Sequence, residues 1–257
     1  MNDFRSGAWS GFVSNWPLQS EQPVLLLVHC AGFTARIWQP LLEQANLPVQ
    51  WLAVDLPGHG DNELPHARTV VEIAEQLDEL IQHLGLQQVV MAGHSLGGAV
   101  TLQCLHRAPA WLKAAVLIGT GARLKVSNAI LASVQVSYAA YRAGFLVVAA
   151  GSKADKDQMK VWVKDSAVPD GKTALADFNL CNGFDLLGQL GEIRTPVRVV
   201  HGEEDRVTPP KYGDYLAEHL PSGRLVRLTG VGHMVPLECP GLLATTISEF
   251  LREQLAL

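Results

Sequence analysis

A serine flanked by glycines follows a short apolar run in the first half of the chain. Ser95 lies within Gly93-His94-Ser95-Leu96-Gly97-Gly98, directly after Val89-Val90-Met91-Ala92. A buried strand that stops at Gly-x-Ser-x-Gly and continues as a helix is typical of a nucleophile elbow. The turn is so sharp that the positions two before and two after the serine must be nearly free of side chain. Backbone strain of this kind costs on the order of 1–3 kcal/mol and usually persists because a function needs it.

A serine nucleophile needs two partners. Its hydroxyl is weakly nucleophilic at neutral pH, so a base must take the proton and an acid must orient that base. In this strand-and-helix order, the acid and then a histidine should follow later strands. Residues 199–209 predict a strand that runs into an acidic loop with Asp205, and the glycine-rich loop at 230–234 carries His233. Glu203 and Glu204 compete with Asp205 for the role of the acid.

Short apolar runs alternate with helical segments along the chain, which predicts a mostly parallel sheet with helices on both faces. Strands are predicted at 23–29, 49–55, 89–92, 114–119, 197–201 and 225–229, with one or two edge strands within residues 1–18. Helices are predicted at 36–47, 69–84, 96–107, 210–220 and 242–255. Thr69 and Glu72 have the spacing of a capping box at the start of the second helix.

The stretch from about Ala122 to Asp185 contains no convincing buried strand. Its 64 residues are too many for a simple crossover. We therefore predict a helical cap at 122–185, inserted into a core formed by 1–121 and 186–257, over the strand ends where ligands bind in open α/β sheets. Two irregular crossover helices are the alternative. Residues 130–150 favour a mostly buried helix pair over a membrane span, because polar residues interrupt the apolar run.

Composition and charge limit the classes of partner. Hydrophobic residues make up 48% of the chain and charged residues 18%, as in soluble globular proteins. The formal net charge of -5 gives no reason to expect nucleic-acid binding. The four cysteines lie far apart, with no CxxC pair and no His/Cys cluster at metal spacing, so reduced thiols and a cytoplasmic location are expected. The N-terminal residues lack the apolar run of a secretory signal.

Five landmarks in the right order make the chain resemble the α/β-hydrolase superfamily, namely residues 29–33, residues 55–60, the elbow, residues 202–209 and Gly232-His233. The resemblance covers nearly the whole chain and implies a mostly parallel sheet of about eight strands flanked by helices. It implies Ser95 as the nucleophile, His233 as the base and later acid, and Asp205 as the residue that fixes the imidazole tautomer. It also implies oxyanion donors at the backbone N–H groups of Leu96 and Ala31, without a metal or organic cofactor.

One position departs from the pattern of the superfamily. The oxyanion loop usually starts with His-Gly, whereas this chain has His29-Cys30, and a thiol narrows or reshapes that corner. His59 and His94 are expected to support the site through hydrogen bonds, whereas His66 is expected to be a surface or packing residue. The side chains predicted to line the substrate pocket are His29, Cys30, His94, Tyr138, Tyr141, Phe145 and Trp162.

The identity of the nucleophile also limits the type of reaction. Epoxide hydrolases and haloalkane dehalogenases of the superfamily carry aspartate at the nucleophile position, so Ser95 implies acyl chemistry. The size and the cap resemble small bacterial carboxylesterases, pimeloyl-acyl-carrier-protein methyl ester esterases and enol-lactonases. Hydrolysis of a small-molecule carboxylic ester through an acyl-enzyme is therefore predicted. A lactonase or C–C bond hydrolase of aromatic catabolism is the close alternative, and a non-catalytic ligand-binding protein on the same fold is the alternative from another class.

The predicted cap is locally basic. Six of the eight lysines lie between 122 and 185, and Lys153, Lys156, Lys160 and Lys164 recur at helical spacing. One hypothesis is the docking of an acidic partner, such as an acyl carrier protein, or of an anionic substrate. The alternative is a solvated helix face, because Asp155, Asp157 and Asp165 lie among these lysines.

Overall fold

An eight-stranded sheet runs through the protein in a computed structural model that describes residues 1–255. Its strands are β1 (Asn2–Ser6), β2 (Trp9–Val13), β3 (Val24–Val28), β4 (Gln50–Val54), β5 (Val89–His94), β6 (Leu112–Ile118), β7 (Val197–Gly202) and β8 (Gly223–Leu228). They lie in the order β1-β2-β4-β3-β5-β6-β7-β8. Pairing is antiparallel between β1 and β2 and between β2 and β4, and parallel elsewhere. The predicted mostly parallel sheet is confirmed.

Helices cover both faces of this sheet. The α-helices described are α1 (Gln39–Gln44), α2 (Val70–His83), α3 (Leu96–Arg107), α4 (Asn128–Val136), α5 (Tyr138–Ala149), α6 (Lys156–Ser166), α7 (Gly171–Gly183), α8 (Lys211–His219), α9 (Val235–Glu238) and α10 (Pro240–Leu255). Two short 3-10 turns lie at Ala35–Trp38 and Leu190–Glu192. No helix within residues 1–255 is both long enough and apolar enough to cross a bilayer.

The central strands are apolar along their whole length because both of their faces are covered. Every residue of β3, with the sequence VLLLV, is buried, as expected for a parallel strand between two layers of helices. The amphipathic helix α2 buries one stripe, which includes Ile73, Leu77 and Ile81. The capping box predicted at the start of α2 is formed in part. Thr69 accepts a hydrogen bond from the Glu72 N–H, whereas the Glu72 carboxylate accepts from the N–H of Arg68, one residue before the cap.

The helix predicted at 36–47 is shorter than expected. The chain forms the 3-10 turn Ala35–Trp38 and then α1, which ends at Gln44. Pro40 lies in the first turn of α1, where its missing N–H and fixed φ suit a new helix start. Ala45 is extended, and Pro48 disfavours helical geometry at the residue before it. Two prolines therefore divide and shorten the segment.

Helices α4 to α7 lie between β6 and β7 in sequence. The two ends of this helical segment lie next to each other, because the Leu186 N–H donates to the Ala122 carbonyl at 2.8 Å. The prediction that residues 130–150 are mostly buried is wrong. Helix α4 buries Val134 alone, and α5 buries Leu146 and Ala149. Most of the other apolar residues of this pair face a cavity or the solvent; Val136, for example, is 87% exposed.

Candidate active site

Ser95 occupies the sharp turn between β5 and α3. Its backbone has φ 54° and ψ -112°, and its N–H donates to the Ile118 carbonyl at 2.9 Å. A Cβ on Gly93 would overlap the Gly97 carbonyl, and a Cβ on Gly97 would overlap the Val28 carbonyl. Both positions therefore require glycine because of close backbone contact, and the strained geometry of an elbow is present at Ser95.

His233 and Asp205 lie next to each other at the ends of neighbouring strands. The Nδ1 atom of His233 lies 2.8 Å from Oδ2 of Asp205. The other oxygen of Asp205 accepts from the N–H groups of Val207 and Thr208, each at 2.8 Å. Burial alone would raise the pKa of Asp205, but the nearby His233 and these hydrogen bonds hold that pKa below its usual value. Asp205 is therefore an anion that keeps a proton on Nδ1 of His233.

The two competing glutamates of the same loop lie elsewhere. Glu203 is exposed. Glu204 accepts hydrogen bonds from the N–H and the hydroxyl of Ser152, at 2.7 and 2.6 Å. Of the three acidic residues, Asp205 is the one that contacts His233.

Two residues whose role the sequence did not indicate, Thr208 and Glu238, hold His233 in place. The Thr208 hydroxyl donates to the Gly119 carbonyl at 2.8 Å and lies 2.9 Å from Nδ1 of His233. The carboxylate of Glu238 accepts from the N–H groups of Gly232 and Met234, on either side of His233, at 2.8 and 2.9 Å. Thr208 belongs to the motif that indicated Asp205, but Glu238 carries no recognisable sequence signal.

The expected oxyanion donors lie at the same edge of the sheet. Leu96 is the first residue of α3, so its N–H is one of the four N–H groups that a helix leaves unpaired at its start. Ala31 is partly buried, and its N–H donates to no acceptor within residues 1–255. The hydroxyl of Ser95 likewise makes no hydrogen bond there, so its bond to His233 is not formed in this structure. Such catalytic bonds are often long before substrate binds.

The loop around Ala31 is held by the segment that joins α6 to α7. The Thr34 N–H donates to the Ser166 carbonyl at 2.8 Å, and the Val168 N–H donates to the Gly32 carbonyl at 2.9 Å. Cys30 is buried within this loop, and burial raises the pKa of its thiol. The thiol is therefore neutral at physiological pH.

Asp177 of α7 is a further buried anion that the sequence did not indicate. It accepts hydrogen bonds from the Gly32 N–H at 2.7 Å and from Nε2 of His59 and of His66, each at 2.9 Å. The Nδ1 atoms of the two histidines face the carbonyls of Pro57 and Ala67. Each ring therefore donates from both nitrogens, which makes each an imidazolium cation.

The pKa values around Asp177 agree with this charge assignment. Burial lowers the pKa of His59, but the charge of Asp177 and the hydrogen bonds to Asp177 and Pro57 together outweigh burial and leave that pKa above its usual value. The hydrogen bond to Asp177 raises the pKa of His66. His66, expected from the sequence to be a surface or packing residue, is partly exposed and forms an ion pair with the buried Asp177. These three side chains also offer one ligand atom each within 4.8 Å of one another, a donor set found in zinc sites, although hydrogen bonds account for every contact here.

An apolar cavity of about 460 Å³ opens above Ser95. Of the residues predicted to line it, Cys30, Tyr138, Tyr141 and Phe145 do so, together with Ala31, Ser95 and His233. The prediction is wrong for His29, His94 and Trp162, for reasons of packing. Phe178 of α7, Val163 of α6 and Ile130 of α4 complete much of the apolar wall.

The three residues outside the cavity have structural contacts instead. His29 is fully buried, and its Nε2 accepts from the Leu56 N–H at 3.0 Å. His94 lies behind His233, and its Nε2–H donates to the His233 carbonyl at 2.8 Å. Trp162 packs against the hydrophobic core. Successive residues of a helix point about 100° apart, so Val163, the next residue, faces the cavity instead.

Comparisons with known proteins identify the family. The sequence model of the alpha/beta hydrolase family matches residues 25–246. The chain belongs to the alpha/beta hydrolase family. A solved structure described as a thermophilic esterase is 31% identical, with a TM-score of 0.77 and 92% of each chain covered.

Two further relatives have more specific names. The pimeloyl-[acyl-carrier protein] methyl ester esterase of Nitrosomonas europaea is 24% identical over 85% of this chain and 91% of that protein. The enol-lactonase from Burkholderia xenovorans LB400 superposes with a TM-score of 0.81 at 21% identity, over 89% of this chain and 91% of the other. The likeness to the enol-lactonase shows a shared fold alone.

Proposed function

We propose that this member of the alpha/beta hydrolase family is a serine hydrolase that cleaves carboxylic esters through an acyl-enzyme. One observation carries the proposal: Ser95 and His233 line the same apolar cavity, and Nδ1 of His233 is bonded to the buried Asp205. The names of the relatives, two of which are esterases, support ester hydrolysis over other acyl chemistry. Because an enol-lactonase has the same fold, lactones are the second substrate class to be tested.

In this mechanism the hydroxyl of Ser95 attacks the ester carbonyl, and Nε2 of His233 takes its proton. The oxyanion accepts hydrogen bonds from the N–H groups of Leu96 and Ala31, each worth about 3–4 kcal/mol in such sites. The intermediate collapses to an acyl-enzyme, and the alcohol leaves with the proton held by His233. Water, deprotonated by His233, then releases the acid and regenerates Ser95. Asp205 keeps the Nδ1 proton in place and stabilises the imidazolium that forms.

We also propose that residues 122–185 form a cap over this cavity. Helices α4, α5, α6 and α7 each contribute residues to its wall, and the cap contacts both the oxyanion loop and the loop of His233. The Ala149 carbonyl at the end of α5 accepts from the His233 N–H at 2.7 Å.

We propose a cytoplasmic location, because Cys30, Cys104, Cys181 and Cys239 are all free thiols, which suits a reducing compartment.

An acidic carrier protein as part of the substrate is a finer proposal. It is supported by the name of the Nitrosomonas europaea relative, a pimeloyl-[acyl-carrier protein] methyl ester esterase, and by exposed lysines on α6, among them Lys156 and Lys164. The same face carries acidic residues, and Lys160 is paired with Asp157 at 2.7 Å. Charge reversal at Lys156 and Lys160 is expected to slow turnover of a carrier-bound ester. Unchanged turnover would contradict docking at this face.

Labelling with a fluorophosphonate tests the serine hydrolase proposal. The expected result is one adduct, located at Ser95 by peptide mass, absent in Ser95→Ala and greatly reduced in His233→Ala. Ser133→Ala is the matched control, because this serine lines the same cavity and its hydroxyl donates to the Ile130 carbonyl. Folded wild-type protein that takes no label would favour the non-catalytic ligand-binding protein. A panel of p-nitrophenyl esters of increasing chain length, assayed beside lactones, then separates the two substrate classes.

A further inference from the structure

The charged residues of the cavity all carry positive charge or can acquire it. Its lining contains Lys125, Arg142 and His233 but neither aspartate nor glutamate. The whole chain, by contrast, has 25 acidic residues against 20 lysines and arginines. The rest of the wall is mostly apolar, which strengthens the field of the partly buried Arg142, whereas the exposed Lys125 side chain is screened by solvent. A cavity of this kind in an acidic protein favours an anionic ligand.

Arg142 is the more informative of the two cations. It is partly buried on α5, and its guanidinium lies over the Tyr138 ring, 5.7 Å from the centroid. The Tyr138 hydroxyl donates to the Val168 carbonyl at 3.1 Å, so this ring is fixed. Within residues 1–255, Arg142 has no carboxylate within 4.0 Å, whereas Arg107 and Arg198, for example, form ion pairs. Its fork of N–H donors therefore has no anionic partner from the protein.

Lys125 supplies a second positive charge at the same cavity. Its Nζ donates to the Asn182 carbonyl at 2.8 Å, which positions the ammonium group, and among the residues that the structure describes no carboxylate lies within 4.0 Å of it, whereas Lys160, for example, is paired with Asp157. A guanidinium and an ammonium group beside an apolar wall match a ligand with a hydrocarbon part and a carboxylate. The planar guanidinium can bind both carboxylate oxygens at once.

We infer that the preferred substrate is an ester that carries a free carboxylate in addition to its scissile bond, and that Arg142, assisted by Lys125, binds this carboxylate. A half-ester of a dicarboxylic acid has this chemistry. Its hydrocarbon chain would contact the aromatic wall that Tyr141 and Phe178 form, while its ester carbonyl is placed at Ser95. The inference rests on the proposed ester hydrolysis and adds the substrate class.

The test compares two esters with acyl chains of the same length, monomethyl adipate and methyl hexanoate, by pH-stat titration of the wild type and of variants. Arg142→Gln should lower kcat/KM for monomethyl adipate by roughly tenfold, mainly through KM, because a charge-assisted hydrogen bond is lost from ground and transition state alike. The kcat/KM for methyl hexanoate should change by less than about twofold, because it makes no such bond. Lys125→Gln should have a smaller effect in the same direction.

Arg224→Gln is the matched control, because Arg224 is exposed near the start of β8 and its loss changes the net charge equally. Arg142→Lys, which keeps the charge, should retain most of the preference and serves if Arg142→Gln is unstable by thermal denaturation. Equal losses for both esters in Arg142→Gln, or losses no larger than in Arg224→Gln, would overturn the inference while ester hydrolysis stands. Failure of the folded wild type to hydrolyse either ester would count against both proposals.

Discussion

Replacing Asp177 with asparagine tests how the proposed cap holds the oxyanion loop. Three donors converge on this buried carboxylate, namely the Gly32 N–H and the Nε2–H groups of His59 and His66. Asparagine has nearly the same shape but offers a single acceptor oxygen, and its NH2 group must face a donor. The substitution also leaves the two imidazolium cations without their anion. Asp177→Asn therefore breaks the ion cluster without a change in volume.

The loss of stability expected for Asp177→Asn follows from the burial of the Asp177 carboxylate. Removing one partner of a buried ion pair typically costs 3–5 kcal/mol, and the His66 contribution is smaller because that side chain is 22% exposed. We expect the free energy of unfolding to fall by about 3 kcal/mol, which corresponds to a fall in Tm of roughly 6–12 °C for a protein of this size. Because Gly32 adjoins the proposed donor Ala31, kcat should fall roughly 10- to 100-fold.

The stability that Asp177, His59 and His66 contribute depends on pH in a direction that follows from their pKa shifts. The pKa of Asp177 is lowered by its histidine partners, so its stabilisation is present above about pH 4 and is lost as the pH falls. The pKa values of His59 and His66 are raised, so their stabilisation is present below about pH 6.5 and is lost as the pH rises through the folded values. The difference between wild type and Asp177→Asn should therefore be largest between about pH 4 and pH 6.5.

Urea unfolding of both proteins across this range, with kcat measured on one ester, provides the assay. Asp165→Asn is the control, because this aspartate is exposed on the neighbouring helix α6 and should have little effect on either quantity. A difference below about 1 kcal/mol near pH 5.5, or one that grows towards alkaline pH, would refute the assignment of Asp177 as a buried anion between two cations.

Three further substitutions test the loops that position the proposed nucleophile and base. Thr208→Val removes the hydroxyl that contacts Asp205 and His233, and kcat/KM should fall about tenfold; unchanged kinetics would contradict this. Glu238→Gln removes an acceptor of backbone N–H groups beside His233 and should cost about 1–3 kcal/mol, measured by urea unfolding. Gly93→Ala places a Cβ against the Gly97 carbonyl; Tm and fluorophosphonate labelling should both fall, and wild-type values for both would exclude the close contact.

The amino-acid sequence by itself determined the features that depend on short-range order. The apolar run, the glycines and the helical segment around Ser95 predicted β5, the elbow and the exact bounds of α3. The alternation of strands and helices predicted the mostly parallel sheet. These features are readable because period, turn chemistry and helix signals are contained within a few neighbouring residues. The sites of Asp205 and His233 at the strand ends follow from the same order.

Only the tertiary structure decided which distant residues meet. Asp177 is separated by 145 positions from its partner Gly32, and no local pattern distinguishes it from a solvated helix residue. The orientation of α6 decided that Val163 faces the cavity while Trp162 packs on the core. The exposure of α4 and α5 likewise depends on what lies beneath them, here a cavity rather than a core. Contacts of this kind arise from how whole elements pack, and the residues that make them carry no sign of it in their own neighbourhood.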